Sequence, residues 1–282
     1  MIHAGGEYMK RKKMIPLACL LFLAACSKPA EIPQDRLQVY FFNAGKADAS
    51  ILYTDESAVV IDTGTSGEGK TILRYMQENG IEDIDCLIIT HFDKDHVGGA
   101  AELIAGTDVK EVLISNSPKD SDEYAAFVQA LESARMEAKI ITGEEPYQFT
   151  LDEVTYTVDG PDEAVYEKDP SNNSSLITSV TYGDTSLLFA ADAENLRMNE
   201  YLADYESTYD IVKMPYHGWY QKSLKDLLQE TEPEYAVISC SAEEGGEEKT
   251  LDLLKENGIA YYMAYEGGIL MISDGSKITV SQ

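Results

Sequence analysis

The segment THFDKDHVGG, residues 90–99, holds most of the residues with obvious chemical potential in this 282-residue chain. Two of the chain's four histidines, His91 and His96, lie five residues apart and enclose Asp93 and Asp95. Carboxylates crowded into one loop raise one another's pKa unless a positive charge compensates. A divalent cation supplies that charge and also binds neutral imidazole nitrogen. The segment therefore predicts a metal site, with a solvated acidic turn as the alternative.

Other reactive residues follow apolar runs elsewhere in the chain. Asp62 ends the run AVVID, Asp192 follows TSLLFAA, and His217 comes just after YDIVKMP. Asp48 lies between two further apolar runs. Loops at strand ends are common places for functional sites. Each residue alone is ordinary, because an Asp after a strand is commonly a turn residue. Their joint occurrence with the histidine segment is the evidence for a site.

Short strands and amphipathic helices must position these residues. Apolar runs bounded by turn-like residues predict strands at 37–43, 49–54, 58–62, 85–90, 209–215, 233–240, 260–265 and 268–273. Helical spacing predicts helices at 69–80, 97–106, 121–136, 222–230 and 247–258. The middle of the chain, 138–191, is predicted to be mostly strand. This order predicts two mixed sheets with helices outside, in one domain over residues 37–282.

Residues 1–26 have the pattern of a signal segment. A basic run at 9–13 precedes an apolar run at 14–24 that is too short for an ordinary membrane span. It ends in LAAC, which resembles the lipobox of bacterial lipoproteins and implies a lipid on Cys26. That resemblance implies a lipid anchor in the cell membrane on its extracytoplasmic face, with residues 27–36 as a tether. An uncleaved anchor or a chance cysteine is the alternative.

The charge balance limits the partners of the chain. Fifty acidic residues against 22 basic ones give a net charge of −28. Such a surface repels polyanions, so no extended contact with duplex DNA is expected. A centre that binds cations is compatible with this charge.

The order of four motifs, DTG, THFDKDH, AADAE and PYHG, resembles the metallo-β-lactamase superfamily. The resemblance covers about residues 37–280 and implies an α/β fold, a four-layer αββα sandwich with two divalent metal ions, Zn or Mn, at the sheet edges. Asp93 replaces the second histidine of the usual HxHxDH motif. Together with NAGKADA and NNSS, this variant is similar to the hydrolase domain of competence DNA-uptake channel proteins (ComEC type) and their free-standing relatives.

The resemblance implies roles for particular residues. The implied metal ligands are His91, Asp93, Asp95, His96, Asp192 and His217, with Asp192 as the bridge between two ions. Asp62, Asp48 and Asn173 are implied as residues that support the ligands. The mid-chain histidine ligand of the superfamily is missing, and NNSS stands where the competence-type subgroup has asparagines. The first metal position, implied to include His91 and Asp93, is therefore richer in oxygen, which favours Mn²⁺ or a labile ion there.

The implied activity is a metal-dependent hydrolase that uses a metal-bound hydroxide. Asp95 would orient or deprotonate the water, and His217 would also lie near the leaving group. Phosphodiesters are the implied substrates, as nucleic-acid ends, envelope material or small molecules. The alternatives are hydrolysis of esters and amides including lactams, and a non-catalytic surface lipoprotein that keeps the fold. Tyr216, which replaces a second histidine in PYHG, slightly favours the non-catalytic alternative.

Overall fold

The computed structural model describes residues 36–282. The predicted signal segment, the lipidation site Cys26 and the tether up to residue 35 lie outside the described residues. Within residues 36–282, none of the helices has the length and apolar character needed to cross a membrane.

Strands make up most of the regular structure. In chain order they are β1 (Leu37–Phe41), β2 (Ala49–Tyr53), β3 (Ala58–Thr63), β4 (Ile84–Ile89), β5 (Val109–Ser115), β6 (Lys139–Ile141), β7 (Tyr147–Leu151), β8 (Val154–Asp159), β9 (Ile177–Tyr182), β10 (Thr185–Phe189), β11 (Ile211–Lys213), β12 (Tyr235–Ile238), β13 (Ala260–Met263), β14 (Ile269–Ser273) and β15 (Ile278–Ser281). The central strands are nearly continuous apolar runs, as expected for strands covered on both faces.

Helices connect many of these strands. They are α1 (Glu68–Asn79), α2 (Lys94–Val97), α3 (Ala100–Gly106), α4 (Asp122–Ala134), α5 (Pro170–Asn173), α6 (Asn195–Asp204), α7 (Ser223–Thr231) and α8 (Glu248–Glu256). The helix α1 ends where Gly80 adopts φ +73° and its N–H returns to the carbonyl of Gln77. The helix α4 begins at Ser121, whose Oγ accepts a hydrogen bond from Tyr124 N.

The strands form two sheets. The first has the order β15-β14-β1-β2-β3-β4-β5-β6, and the second has the order β13-β12-β11-β10-β9-β8-β7. Each sheet mixes parallel and antiparallel pairs. In the first sheet β3 and β4 are parallel. In the second sheet β10 and β11 are parallel.

Three apolar clusters hold the layers together. The cluster between the sheets includes Phe41 and Phe189, whose rings stack at a centroid distance of 5.6 Å. A second cluster packs α1, α3 and α4 on the outer face of the first sheet, with Ile72 and Leu103 fully buried. A third packs α6, α7 and α8 on the second sheet, where Leu254 is fully buried. The layers therefore run helix, sheet, sheet, helix, which confirms the predicted αββα sandwich.

The structure differs from the sequence prediction in a few elements. The helix predicted over 97–106 begins only at Ala100, as α3, while Val97 ends the preceding helix α2 and Gly98 and Gly99 separate the two. A Cβ atom on Gly99 would lie 2.4 Å from the carbonyl oxygen of Thr63, so the chain turns here to let the β3 loop approach. The helix α6 and the edge strand β15 were not predicted. The spacing of Met198 and Tyr201, both buried in α6, is the helical signal that would have found it.

Candidate metal centre

Strand order brings the predicted ligands together at one edge of the sandwich. The carboxyl ends of parallel strands lie at the same edge of a sheet. His91 follows β4, Asp192 follows β10, and His217 follows β11. Asp62 lies near the end of β3, beside the helix α2 that carries His96. Motifs that are far apart in sequence therefore converge on one place.

Each of the three histidines directs its Nδ1 atom toward the protein scaffold. His96 Nδ1 lies 2.7 Å from Asp62 Oδ2, and His217 Nδ1 lies 3.1 Å from the carbonyl oxygen of Ser239. His91 Nδ1 lies 3.2 Å from a neighbouring threonine hydroxyl. A histidine held through Nδ1 presents Nε2, which is how partner groups orient metal-binding histidines.

The Nε2 atoms face a buried region that we call the floor of the site, formed by His91, His96, Asp192 and His217. All four side chains are buried. Within residues 36–282, the three Nε2 atoms and Asp192 Oδ1 form no hydrogen bond of acceptable geometry. Native proteins rarely leave buried polar atoms without partners. Ligand atoms of His91, His96 and Asp192 lie within 4.8 Å of one another, so the floor fits a divalent cation.

The floor histidines differ in charge. Burial, assisted by His96, lowers the pKa of His91 to about 4, so its ring is neutral. Burial also opposes charge on His217, but Asp192 outweighs it and raises the pKa of His217 to about 9. Asp192 and Asp62 likewise overcome burial and raise the pKa of His96 well above its ordinary value. Positive charge between carboxylates is thus favoured at the floor.

Asp62 lies behind the floor. Its Oδ1 accepts the backbone N–H of Thr90 at 2.9 Å, and its Oδ2 accepts the Thr90 hydroxyl at 2.7 Å. The same Oδ2 atom holds His96 Nδ1. These contacts are the ones that a residue supporting a metal-binding histidine makes.

Asp93 and Asp95 form a more open part of the site, which we call the mouth. Asp95 Oδ2 accepts a hydrogen bond from Lys46 Nζ at 2.7 Å. The same oxygen lies 3.5 Å from His217 Nε2. Ligand atoms of Asp95, His96 and His217 lie within 4.8 Å of one another, so a second cation position includes Asp95.

Asp93 lies at the edge of the mouth. Its Oδ1 contacts Lys119 Nζ at 2.5 Å and also accepts a hydrogen bond from the Ser171 hydroxyl. That oxygen is 3.9 Å from His91 Nε2. In the described part of the chain, Asp93 does not join the tight groups of ligand atoms that contain the floor residues. Of the predicted ligands, Asp93 is therefore the one most fully engaged by other side chains.

Asp48 is paired with a buried lysine. Lys213 Nζ donates hydrogen bonds to Asp48 Oδ2 and to the carbonyl oxygen of Ala191. Both side chains of the ion pair are nearly inaccessible to solvent. The other Asp48 oxygen lies 3.7 Å from His217 Nδ1. No sequence pattern pointed to Lys213, because it lies 165 residues from Asp48.

Asn173 hydrogen-bonds to α6 and to the segment that precedes α5. Its Oδ1 accepts the backbone N–H of Arg197 in the first turn of α6, at 3.1 Å. Its Nδ2 donates to the carbonyl oxygen of Lys168 at 2.9 Å. Asn173 therefore fixes the segment around α5 to α6. That segment supplies Ser171, the residue that contacts Asp93.

The backbone is unusual at the loops that carry the ligands. Asp62, Ala191, Tyr216 and His217 have φ values of 56°, 48°, 49° and 52°. Such left-handed conformations are uncommon for residues other than glycine and persist where surrounding structure holds them. They place Asp192 and His217 immediately beyond the ends of their strands.

A cavity of about 630 Å³ opens onto the mouth. Three lysines line it, Lys46, Lys94 and Lys119, together with four acidic residues, Asp93, Asp95, Glu123 and Glu244. The lining thus combines ammonium groups with carboxylates. The cavity is large enough for a small substrate beside the ligands.

Two facing mixed sheets, outer helices and a histidine–aspartate cluster at the sheet edge define the metallo-β-lactamase class of folds. The chain belongs to the metallo-beta-lactamase superfamily, whose sequence model matches residues 43–242. Members of this superfamily are usually metallo-hydrolases and typically bind two divalent metals.

Curated relatives bear competence-related names. The chain is 26% identical to ComE operon protein 3 of Bacillus subtilis over 214 residues, covering 71% of this chain and 26% of that protein. It is 24% identical to Recombination protein 2 of Haemophilus influenzae over 207 residues, covering 72% and 24%. The chain thus spans about a quarter of the length of these relatives. These matches confirm the predicted resemblance to competence proteins.

Solved structures with the same fold are more distant. The metallo-beta-lactamase fold protein YhfI from Bacillus subtilis aligns with a TM-score of 0.55 at 11% identity, covering 80% of this chain and 95% of that one. CmlA, a diiron β-hydroxylase from Streptomyces venezuelae, aligns with a TM-score of 0.50 at 14% identity, covering 81% and 53%. At these identities the comparison establishes the fold alone.

Proposed function

We propose that this protein is a metal-dependent hydrolase of phosphodiesters. The observation that carries the proposal is the floor, where four buried ligand atoms converge without hydrogen-bond partners among the described residues. Nitrogen and oxygen ligands in that arrangement suit Zn²⁺ or Mn²⁺. Following the superfamily, we propose two ions, one at the group His91, His96 and Asp192, and one at the group that includes Asp95 and His217.

The floor residues would hold the metal, and the mouth residues would handle substrate and water. A bound divalent cation lowers the pKa of water and polarises a phosphoryl oxygen. Asp95, which faces both His217 and the cavity, is placed to orient the attacking water. His217 Nε2 also lies 3.1 Å from Asp192 Oδ2, so it binds at the junction of the two cation positions.

An anionic substrate is supported by the cavity lining. Lys46, Lys94 and Lys119 place three ammonium groups in a cavity that is also lined by the carboxylates of Asp93, Asp95, Glu123 and Glu244. A phosphodiester that pairs with these ammonium groups in place of their carboxylate partners gains from their charge, whereas a neutral ester or amide does not. The names of the competence-related relatives agree with a nucleic-acid phosphodiester. The acidic surface favours strand ends or small molecules over long duplexes.

The test is turnover of bis-p-nitrophenyl phosphate after addition of Mn²⁺ or Zn²⁺. We expect release of nitrophenol with metal and none after chelation. Hydrolysis of p-nitrophenyl acetate or of a chromogenic cephalosporin, without phosphodiester cleavage, would instead establish ester or lactam chemistry. Asp95→Asn should reduce phosphodiester turnover strongly, since it removes the carboxylate that orients water.

A non-catalytic protein with the same fold is the second candidate. The observation that favours it is Asp93, whose carboxylate is held by Lys119 and Ser171. This candidate predicts that metal binds and that no ester, amide or phosphodiester is cleaved under either ion.

We also propose that Cys26 carries a lipid that anchors the chain to the membrane on its extracytoplasmic face. The LAAC sequence supports this placement. One acyl chain alone binds membranes weakly, so stable anchoring needs more than one acyl group on the protein. Labelling of cells with a palmitate analogue should mark the wild-type chain and leave Cys26→Ser unlabelled. Equal labelling of both would contradict the proposal.

A further inference from the structure

We propose that the two cation positions are unequal, because the Lys46 ammonium group competes with the second cation for Asp95. The inference rests on the metal-dependent function proposed above and extends it to a single residue. It predicts one tightly held ion at the floor and a second ion that binds weakly at the mouth.

Ligand atoms at the floor and at the mouth differ in whether they already have hydrogen-bond partners. Among the described residues, the floor atoms His91 Nε2, His96 Nε2 and Asp192 Oδ1 form no hydrogen bonds. A cation entering there breaks no hydrogen bond of these atoms and no lysine ion pair, and it displaces only the proton that His96 shares with Asp192 across 3.4 Å. Asp95 Oδ2 already accepts a hydrogen bond from Lys46 Nζ at 2.7 Å. A cation that takes this oxygen must break an ion pair first.

Lys46 lies close to the second group of ligands. The oxygen that Lys46 holds is the one that lies 3.5 Å from His217 Nε2. Lys46 therefore occupies the side of Asp95 that faces the second group of ligands. An ammonium group left beside a divalent cation also repels it, and this repulsion is weakly screened where Asp95 is only 13% exposed.

The carboxylates of the site balance the charge of one divalent cation better than that of two. Each of three carboxylates contacts a lysine: Asp48 with Lys213, Asp93 with Lys119, and Asp95 with Lys46. Asp62 and Asp192 remain, and neither forms a lysine ion pair within residues 36–282. Both face His96. Once the histidine protons are released, these two carboxylates without a lysine partner match the charge of one divalent cation, whereas two cations would leave an excess of positive charge.

The test measures Mn²⁺ binding rather than turnover. The full chain in mild detergent is titrated with Mn²⁺ by equilibrium dialysis, and the bound metal is counted by elemental analysis. We expect one tight ion for the wild type. Lys46→Gln should tighten the second ion by about tenfold or more, the scale expected from removing a partly exposed ion pair and a like charge. Electron paramagnetic resonance of the variant should then show a spin-coupled Mn²⁺ pair.

Two controls isolate the charge of Lys46. Lys46→Arg keeps the charge and should retain the wild-type pattern of one tight ion. Lys110→Gln removes a lysine that also bridges aspartates, Asp83 and Asp85, on the surface away from the site, and should change nothing. Circular dichroism checks that all variants fold.

The outcomes separate this inference from the proposed function. Two equally tight ions in the wild type, or no gain in Lys46→Gln, would overturn the competition by Lys46. If Lys46 acts only on substrate, Lys46→Gln weakens inhibition by inorganic phosphate and leaves metal binding unchanged, which also overturns it. A gain of the second ion without any phosphodiester turnover would support the inference while rejecting the proposed function.

Discussion

The floor and the mouth of the site use the same residue types in opposite ways. At the floor, His91, His96, Asp192 and His217 are buried, and their ligand atoms have no hydrogen-bond partners in the described structure. At the mouth, Asp93 and Asp95 are partly exposed and are held by lysines. The floor must therefore release only the protons of its histidines when a cation binds, whereas the mouth must release lysine ammonium groups.

This contrast assigns different tasks to the two regions. Buried ligands held through Nδ1 lose little freedom when a metal binds, so the floor should set metal affinity. Lysine-paired carboxylates beside a cavity should set the charge that a substrate meets. The buried Asp48–Lys213 pair belongs with the floor, because it lies against the loops of Asp192 and His217.

The largest expected effect is at the floor. Asp192→Asn should abolish tight metal binding and reduce phosphodiester turnover on the order of a thousandfold, because the metal supplies several kcal/mol of transition-state stabilisation. Elemental analysis and turnover of the same sample measure both. The control is Asp184→Asn, an exposed aspartate in the β9–β10 turn, which should behave as the wild type. Full activity in Asp192→Asn would show that the floor takes no part in catalysis.

The next effect compares two lysine–aspartate pairs. Lys213→Met leaves the Asp48 carboxylate buried without its partner and should reduce the free energy of unfolding by about 3–5 kcal/mol. Lys46→Met removes a partly exposed partner and should change it by less than about 1 kcal/mol. Denaturant unfolding of both variants gives the comparison. Similar small changes in the two variants would mean that the Lys213 pair does not hold the floor in place.

A smaller effect is expected behind the floor. Asp62→Asn keeps the shape of the side chain but weakens its hold on His96 Nδ1. Metal affinity should fall by about 10–100-fold, the usual range for partners of metal-binding histidines. Calorimetric titration with Zn²⁺ measures this loss. Affinity equal to the wild type would show that Asp62 serves the fold and not the metal.

Measured over a single pH unit, the smallest effect is a graded dependence on pH. Below its pKa of about 9, His217 carries a proton that a metal must displace, and the pKa of His96 is raised as well. Apparent Mn²⁺ affinity should therefore fall as pH decreases from 9 to 6, by about tenfold per unit for each proton displaced. The same titration in two buffers of different ionisation enthalpy counts the protons released. Affinity that is constant over this range would contradict proton displacement by the metal.

Local patterns in the sequence were enough to predict the fold and the place of the site. The apolar runs before Asp62, His91 and His217 mark strand ends, and parallel strands bring those ends to one edge. That alternation predicts two mixed sheets with outer helices, the motif resemblance implies the αββα sandwich, and the structure confirms both. The predicted ligands other than Asp93 lie in the tight groups of ligand atoms.

Contacts between distant residues could not be predicted in the same way. The pairs Lys46–Asp95 and Lys213–Asp48 span 49 and 165 residues and depend on how the two sheets face each other. A lysine ion pair leaves no periodic signal in the sequence. The sequence shows the two glycines that separate α2 from α3. It does not show why they are needed, which is the close approach of the loop after β3.

Metal content measured together with turnover tests the central claim most directly. Purified protein is loaded with Mn²⁺, freed of excess ion, and assayed with bis-p-nitrophenyl phosphate while bound metal is counted. The account predicts at least one tightly bound ion per chain and turnover that rises and falls with that ion. Protein that retains no metal, or that cleaves the substrate equally well without it, would contradict the assignment of the floor as a catalytic metal centre.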